Sequence, residues 1–495
     1  MVHEFPDCRE MVYETDVLIV GGGSAAMFAA IAAAEEGCTA TIVEKGASIS
    51  SSGNIGSGID HLQAILNEEP WDTAEEFLGN LVNANEGLID LEVAAVFVDG
   101  IKDIVARLEK MGVPLRDPAT GKYRRVAGLG SKHPTVINFA GGEIKPILAR
   151  AVRSSPSVKI IEETMLLSLL VNDKRVIGGV GFNIKEGSLV VVMAKAVIIA
   201  SGGVVRHFPV TSGPPFRTHH YPYNTGDGLV MAYLAGAELA NMEFAYCSVV
   251  PKGFSAPGIT GFVGLGAKLI NSAGEQYMHK YHPLGENAPR NYIVWGTWKE
   301  LEAGRGPCYL DCTHLTPEAI RHVEVGIQNE KPLLLEYLKA KGIDVSKQWL
   351  EIELQELDQG VTFAVGAGNG LVIDADCATN LEGLYACGDA AYISFAAAGA
   401  FVYGFKAGTT AVRYAKKLAN VEPVDREQLA AIKSSIYQPL ARPDGYTHQE
   451  IQERLQAIMA RHAGLVRTAE GLKEAVRLLK ALKADAEKMK AANYH

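Results

Sequence analysis

The sequence predicts an α/β protein built on a doubly wound, mostly parallel sheet, and three short stretches predict it. The first is VLIVGGGSAAMFA at 17–29, an apolar, β-branched run that breaks into three glycines and then into small residues. The second is KAVIIASGG at 195–203, and the third is GLYACGDA at 383–390. Each is a short run of apolar residues without alternation, the pattern of a strand covered on both faces, and each ends in a turn containing glycine.

Taken in order, Asp16 to Val20 reads as the first strand, and Gly21, Gly23 and Ala26 follow it as GxGxxA. Met27 to Glu36 is Ala-rich and helical in character; Thr39 to Val43 is a second strand, closed by Glu44. Glu44 follows Gly21 by 23 residues, the spacing at which a βαβ unit places an acid beside a ribose hydroxyl. Gly21 permits the tight turn and Gly23 lets the backbone approach a pyrophosphate. The helix start, with Ser24, Ala25 and Ala26, offers N–H groups and a positive dipole end. The reading at this point is a dinucleotide site.

The later stretches choose between dinucleotides. Lys195 to Ile199 is a buried strand running into Ala200-Ser201-Gly202, and the last stretch ends a short strand in Gly388-Asp389. Flavoproteins with two dinucleotide folds use these pieces in this order: the second strand-turn supports the nucleotide, and the late Gly-Asp offers a carboxylate to the flavin's ribityl chain. A simple NAD domain closes within about 150 residues and needs no late Gly-Asp. FAD is the expected cofactor.

Composition narrows the setting. A chain of 495 residues is long enough for several domains. The net charge of −10 leaves no basic surplus for nucleic acid. Seven cysteines are scattered with no CxxC, which argues against both a disulfide framework and an iron–sulfur cluster ligated within the chain. The first residues lack the apolar core of a signal peptide, and no apolar run is long enough to span a bilayer. The expected location is the cytoplasm.

The motifs VGGGSAA, IVEKG, SSGNIGSG, AVIIASGG, NTGDGLVMAYLAGAEL, INSAGEQYM, GPCYLDCTHL and GLYACGDA run through nearly the whole chain. In that order they resemble the fumarate reductase/succinate dehydrogenase flavoprotein family. GGEIKP at 141–146, FRTHHYPYNTG at 216–226 and the spacing from Glu243 to INSAGE resemble the adenylylsulfate (APS) reductase α subunit most. The resemblance implies a two-dinucleotide-binding (Rossmann-like) FAD domain at 1–240 and 361–415. An α+β capping domain at 241–360 would interrupt it, and a helical domain at 416–495 would follow, its entry punctuated by Pro423, Pro439, Pro443 and Gly445. Beyond the residues named above, it implies cofactor contacts from Lys45, Ser52, Gly53, Asn54, Gly56, Gly58, Asn224 and Asp227.

The substrate residues depart from the family. Fumarate reductases bring a His in HPTG, a His in HYTMGG, an Arg after the late glycine-acid pair and a cap Arg. The corresponding stretches here are YCSVVPKG at 246–253, VGAGNG at 365–370 and AAYISFAAAGAFVYGFKAG after Asp389, none with the expected residue. Only the cap arginine persists, as Arg290 in APRN. Too few cations remain to hold two carboxylates, so dicarboxylate chemistry is not expected. The APS reductase pattern is altered as well, with no arginine after Met242-Glu243 and His219 where a tryptophan is expected.

The candidates for chemistry are therefore Arg290, for an anionic or carbonyl group, and His219 and His220, for proton transfer beside the NTGDG turn. Lys252, Arg217, Glu143 and Cys247 are weaker. Glu143 reads equally as the cap of a helix starting at Ile144, and Cys247 as an inert buried thiol. Cys308 and Cys312 lie in a strand-like segment and make no metal site. Family members with covalent flavin carry a histidine where Gly53 stands, so FAD is expected without a covalent bond. Electrons would pass to or from an iron–sulfur, ferredoxin-like partner. A stand-alone oxidase and an electron carrier with a degenerate site remain alternatives.

Overall fold

A computed structural model describes residues 9–493 apart from 57, 127–132, 213–219, 255–258, 322–323, 325–331, 356–357 and 359–365. Its first strand, Glu10–Val20, starts earlier than the apolar run alone suggests, because Glu10 to Thr15 pair with Leu189 to Ala194. The glycine turn follows, and the helix after it covers Ser24–Glu35, beginning three residues before the Ala-rich run. Ala40–Val43 is the second strand. These pair in parallel, and parallel neighbours Val158–Ile161 and Leu189–Ile199 flank them. Arg175–Asn183 and Thr164–Asn172 then extend the sheet in antiparallel sense.

The last apolar stretch returns from far along the chain. Leu384–Ala386 pairs in parallel with Val197–Ile199, while the earlier part of that long strand pairs with Arg175–Asn183. The long strand is thus shared between a parallel and an antiparallel neighbour. One core cluster packs this sheet against the helix Ser24–Glu35 and a helix Ala396–Ala415. The two helices approach closely because Gly404 and Gly408 face Ala25 and Ala29; a Cβ on either glycine would fall 2.3–2.4 Å from a backbone oxygen of the other helix.

A second core surrounds a four-stranded antiparallel sheet in the order Val249–Pro251, Leu350–Leu354, Cys308–Asp311, Lys268–Ile270. A helix Arg290–Glu302 lies with it. Three helices form the tail: Arg426–Ala441, His448–His462 and Ala469–Ala486. The first packs Tyr437 on the antiparallel part of the large sheet. Pro439 lies inside that helix, in its last turn, rather than in the entry segment. Thr447 and Glu450 form a reciprocal capping box at the start of the second. No described helix is long and apolar enough to cross a membrane.

Candidate active site

The sheet register builds the site. Val20 lies level with Val43 and Ile199, and Ile199 with Ala386. Gly21, Glu44, Ala200 and Cys387 therefore leave four parallel strands at one edge, the carboxyl edge where open α/β sheets bind ligands. Gly21 has φ +102°, and a Cβ there would strike the Ala200 carbonyl oxygen at 2.6 Å. Gly23 is different. Its Cβ would meet no protein atom closer than 3.9 Å, so the space it leaves open is not filled by the protein. Ser24 and Ala25 open the helix beside it, and Gly53 (φ +77°) folds back within 3.4 Å, measured from its would-be Cβ to Gly23 Cα.

Glu44 is buried behind the turn. Its Oε2 accepts from the Gly22 amide at 2.5 Å and its Oε1 from the Gly46 amide at 2.6 Å. On the next peptide, between Gly22 and Gly23, Lys145 Nζ donates to the Gly22 carbonyl at 2.7 Å. Burial pushes the Lys145 ammonium down to about 8, against the opposing pull of Glu44. Lys145 stands in GGEIKP, but nothing in the local pattern marks its side chain as buried.

A cavity of 1530 Å³ opens from this edge, larger than the ~300–1,000 Å³ of an ordinary small-ligand pocket. Its wall includes Gly21, Gly23, Ser24, Ala25, Glu44, Lys45, Gly53, Asn54, Gly58, Ala200, Ser201, Gly202, Asn224, Asp227, Gly388 and Asp389. Ala26, Ser52 and Gly56 are not part of it. Ala26 is packed in the core, Ser52 is buried, and Gly56 is small because a Cβ would strike Ser51 O at 2.1 Å. Lys45 and Asp227 pair with each other, and Lys45 Nζ also donates to Thr225 Oγ1 at 2.6 Å. Asn54 ties three loops together: its Oδ1 accepts from the Tyr221 amide and Asn224 Nδ2, and its Nδ2 donates to Asp389 at 3.1 Å. Burial raises the Asp389 carboxyl, with the charge of His220 and bonds from Ser394 and Asn54 opposing. Ser201 Oγ is buried on the wall with no partner among the described residues.

Arg290, His220 and Tyr246 also line the cavity. Arg290 opens the helix Arg290–Glu302, and its guanidinium lies 4.9 Å from the centre of the Tyr246 ring. His220 packs against the same ring at a steep angle, with ring centres 5.5 Å apart. Its Nδ1 is 2.6 Å from Asp358 Oδ2, and the Asp358 side chain is fully buried. Tyr246 and Asp358 exchange backbone hydrogen bonds, so the ring and the carboxylate are set by one ladder. Asp358 and Tyr246 are absent from the sequence-based candidates: Asp358 lies 138 residues from His220, and no spacing rule connects them.

The weaker candidates fall elsewhere. His219 and Arg217 lie outside the described residues. Lys252 is exposed and pairs with Glu351. Glu143 precedes the helix Ile144–Arg153 but makes no side-chain cap bond. Cys247 is buried and its thiol donates to Gln355 O. Burial pushes the Cys308 thiol up to about 11 and that of Cys312 up to about 12, which leaves both unreactive. No group of metal-ligating side chains occurs among the described residues.

A glycine turn on a parallel sheet, a level acid and a late Gly-Asp around one large cavity define the FAD-dependent oxidoreductase class. Known proteins agree. A family model described as FAD binding domain matches residues 16–400, and one described as fumarate reductase flavoprotein C-term matches 452–494. The chain belongs to the fumarate reductase/succinate dehydrogenase flavoprotein family. It is 28% identical to one subunit of the fumarate reductase (CoM/CoB) of Methanothermobacter marburgensis, over 94% of this chain and 84% of that one. It is also 28% identical to an L-aspartate oxidase of Streptomyces coelicolor, over 95% and 80%. Among solved structures, adenylylsulfate reductase from Archaeoglobus fulgidus superposes with a TM-score of 0.86 at 25% identity, covering 99% of this chain and 86% of the other.

Proposed function

We propose that this chain is a catalytic flavoprotein subunit that exchanges a hydride or electron pair between non-covalent FAD and a small polar or anionic substrate. The observation that carries the reading is the meeting, on one cavity, of the glycine-turn wall with Arg290 and the His220–Asp358 pair. Gly21, Gly23, Ser24 and Ala25 would face the pyrophosphate, Glu44 the ribose, and Asn54, Asn224, Ser201, Gly388 and Asp389 the flavin half. The gap at Gly23 and the unpartnered Ser201 hydroxyl fit such a group. When bound, FAD supplies a two-electron donor and acceptor.

The protein's own residues do the rest. Arg290 presents a planar fork that binds a carboxylate or carbonyl of the substrate and holds it against the Tyr246 face. Asp358 accepts the Nδ1 proton of His220, fixing the tautomer and leaving Nε2 as the proton-exchanging atom. In domain terms, 1–240 and 361–415 carry FAD, 241–360 caps it and 416–495 is a helical tail. Support comes from Leu384–Ala386, which joins the sheet of the N-terminal segment, while the four-stranded sheet falls within 249–354. An iron–sulfur partner is the proposed route for electrons. The methanogen relative bears the name of one subunit of a larger enzyme, and this sequence has no cysteine spacing for a cluster of its own.

The test is anaerobic stopped-flow reduction of the FAD-loaded chain by candidate substrates, with Arg290→Lys beside the wild type. Arg290→Lys is expected to lower flavin reduction by at least ~10²-fold with FAD binding intact. Unchanged reduction with a lowered melting temperature would make Arg290 a tie for the cap instead. Rapid reoxidation by O₂ without a partner would favour the oxidase alternative. Co-purification of an iron–sulfur protein would favour the partnered subunit.

A further inference from the structure

Lys145 is fully buried, and its Nζ donates to the carbonyl of Gly22, the central residue of the glycine turn. It is the second residue of the helix Ile144–Arg153, which packs on the helix Ser24–Glu35. Burying an ammonium is costly unless it is paired. Among the described residues, Glu44 from the neighbouring strand is the one charged group that acts on it, and Glu44 is itself committed to two backbone amides. Gly22 is therefore held through both of its flanking peptide groups, the N–H of the Gly21–Gly22 peptide by a carboxylate and the C=O of the Gly22–Gly23 peptide by an ammonium. The Gly22–Gly23 peptide has glycine on both sides and is free to flip at little steric cost; a flip would put the Gly22 carbonyl where the Gly23 N–H now points.

We propose that Lys145 is a positioning residue for the cofactor, holding the Gly22 carbonyl so that the turn presents amides, not oxygens, to the FAD pyrophosphate. The inference rests on the reading of this edge as the FAD site. It also accounts for a cation buried where a neutral side chain of the same length would pack at less cost. The pyrophosphate adds negative charge beside the turn and so favours the charged form of Lys145. Burial, only partly offset by Glu44, lowers this ammonium to about 8. Binding FAD above that pH then requires uptake of a proton, and affinity declines as pH rises, by at most tenfold per pH unit.

The experiment is FAD titration of the apoprotein by flavin fluorescence quenching at pH 7.0, 8.0 and 9.5, for the full chain and for Lys145→Met and Lys145→Gln. The wild-type Kd is expected to rise with pH across this range. Lys145→Met is expected to raise Kd at pH 7 by roughly 10–100-fold, the worth of a hydrogen bond from a charged group, and to flatten the pH dependence. Lys145→Gln, which keeps a donor without charge, should fall between in affinity and be equally flat. Wild-type affinity in Lys145→Met, with or without a lowered apoprotein melting temperature, would overturn the proposal and leave Lys145 a packing residue. Should both variants fail to fold, a wild-type Kd constant between pH 7.0 and 9.5 overturns it alone. A wild type that does not bind FAD at all would instead remove the site reading on which it rests.

Discussion

At the scale of single residues, the chemistry depends on what lies behind the side chains that line the cavity. His220 has a buried carboxylate partner at 2.6 Å, and a hydrogen bond of that kind sets which ring nitrogen carries the proton. Asp358→Asn keeps the shape and loses the negative charge, replacing one acceptor oxygen with a donor. It is expected to lower flavin reduction ~10²–10⁴-fold and to shift the pH profile, with FAD affinity unchanged. A pH profile of unaltered shape would remove His220 from the proton step. His207 gives a second prediction. Both its ring nitrogens are buried without partners among the described residues, and burial lowers it to about 4. The unfolded imidazole takes up its proton near 6.5 and the folded one only near 4. Stability is therefore full above 6.5 and lost as pH falls toward 4, by about 2 kcal/mol at pH 5. His207→Phe should remove that share of the acid sensitivity in urea melts at pH 7 and pH 5. At this scale the sequence leads to Gly21, Gly23 and Glu44 through spacing within one βαβ unit, and the structure puts all three on one cavity wall. The sequence hides Asp358 and Lys145, which reach the site from far along the chain.

At the scale of elements, the three apolar stretches were readable because each strand is buried on both faces and each turn needs glycine for a local reason. Their mutual order was not. Nothing in GLYACGDA shows that it pairs with Val197–Ile199 while the rest of that strand pairs with Arg175–Asn183. The helix Ala396–Ala415 was equally silent, although it fixes the position of the glycine-turn helix. Its Gly404 sits against Ala25, the second residue of the helix that faces the cavity. An alanine inside a helix ordinarily gains about 1 kcal/mol over glycine. At Gly404 the new methyl would stand 2.3 Å from the backbone oxygen of Ala25, and the strain of separating two helices, ~1–3 kcal/mol, outweighs that gain. Gly404→Ala is expected to lower the melting temperature and weaken FAD retention together. Gly79, inside the helix Ala74–Ala84 with open space at its Cβ, is the control. Gly79→Ala should be neutral or stabilising and leave FAD retention alone. Equal effects at the two sites would show that close helix packing does not set the turn.

At the scale of the whole molecule, the cavity wall draws on both cores. Gly21, Glu44 and Gly388 come from the edge of the large sheet, while Ala245, next to Tyr246 in the chain, and Phe254 pack against the core of the four-stranded one, and Arg290 opens a helix that packs there. A ligand filling this space touches both cores at once, so its binding free energy should appear in the stability of both. With FAD at a hundredfold excess over Kd the gain is about 2.7 kcal/mol, present only while FAD is free to bind and leave. That freedom depends on attachment. The resemblance sets Gly53 where covalent family members carry histidine, and its φ of +77° is one that side-chain-bearing residues rarely adopt. His61 lines the cavity and is the nearest histidine along the chain. The expectation is non-covalent FAD. Acid precipitation of the yellow protein should leave a colourless pellet and intact FAD in the supernatant. Apoprotein should then melt at a lower temperature than holoprotein, with the difference restored by added FAD. Both should show in the fluorescence of Trp71 on the cavity wall and of Trp295 and Trp298 on the Arg290 helix. Colour retained in the pellet would mean a covalent bond, and its loss in His61→Ala would place that bond. A rise in melting temperature seen by one tryptophan group and not the other would mean that the two cores do not share the ligand.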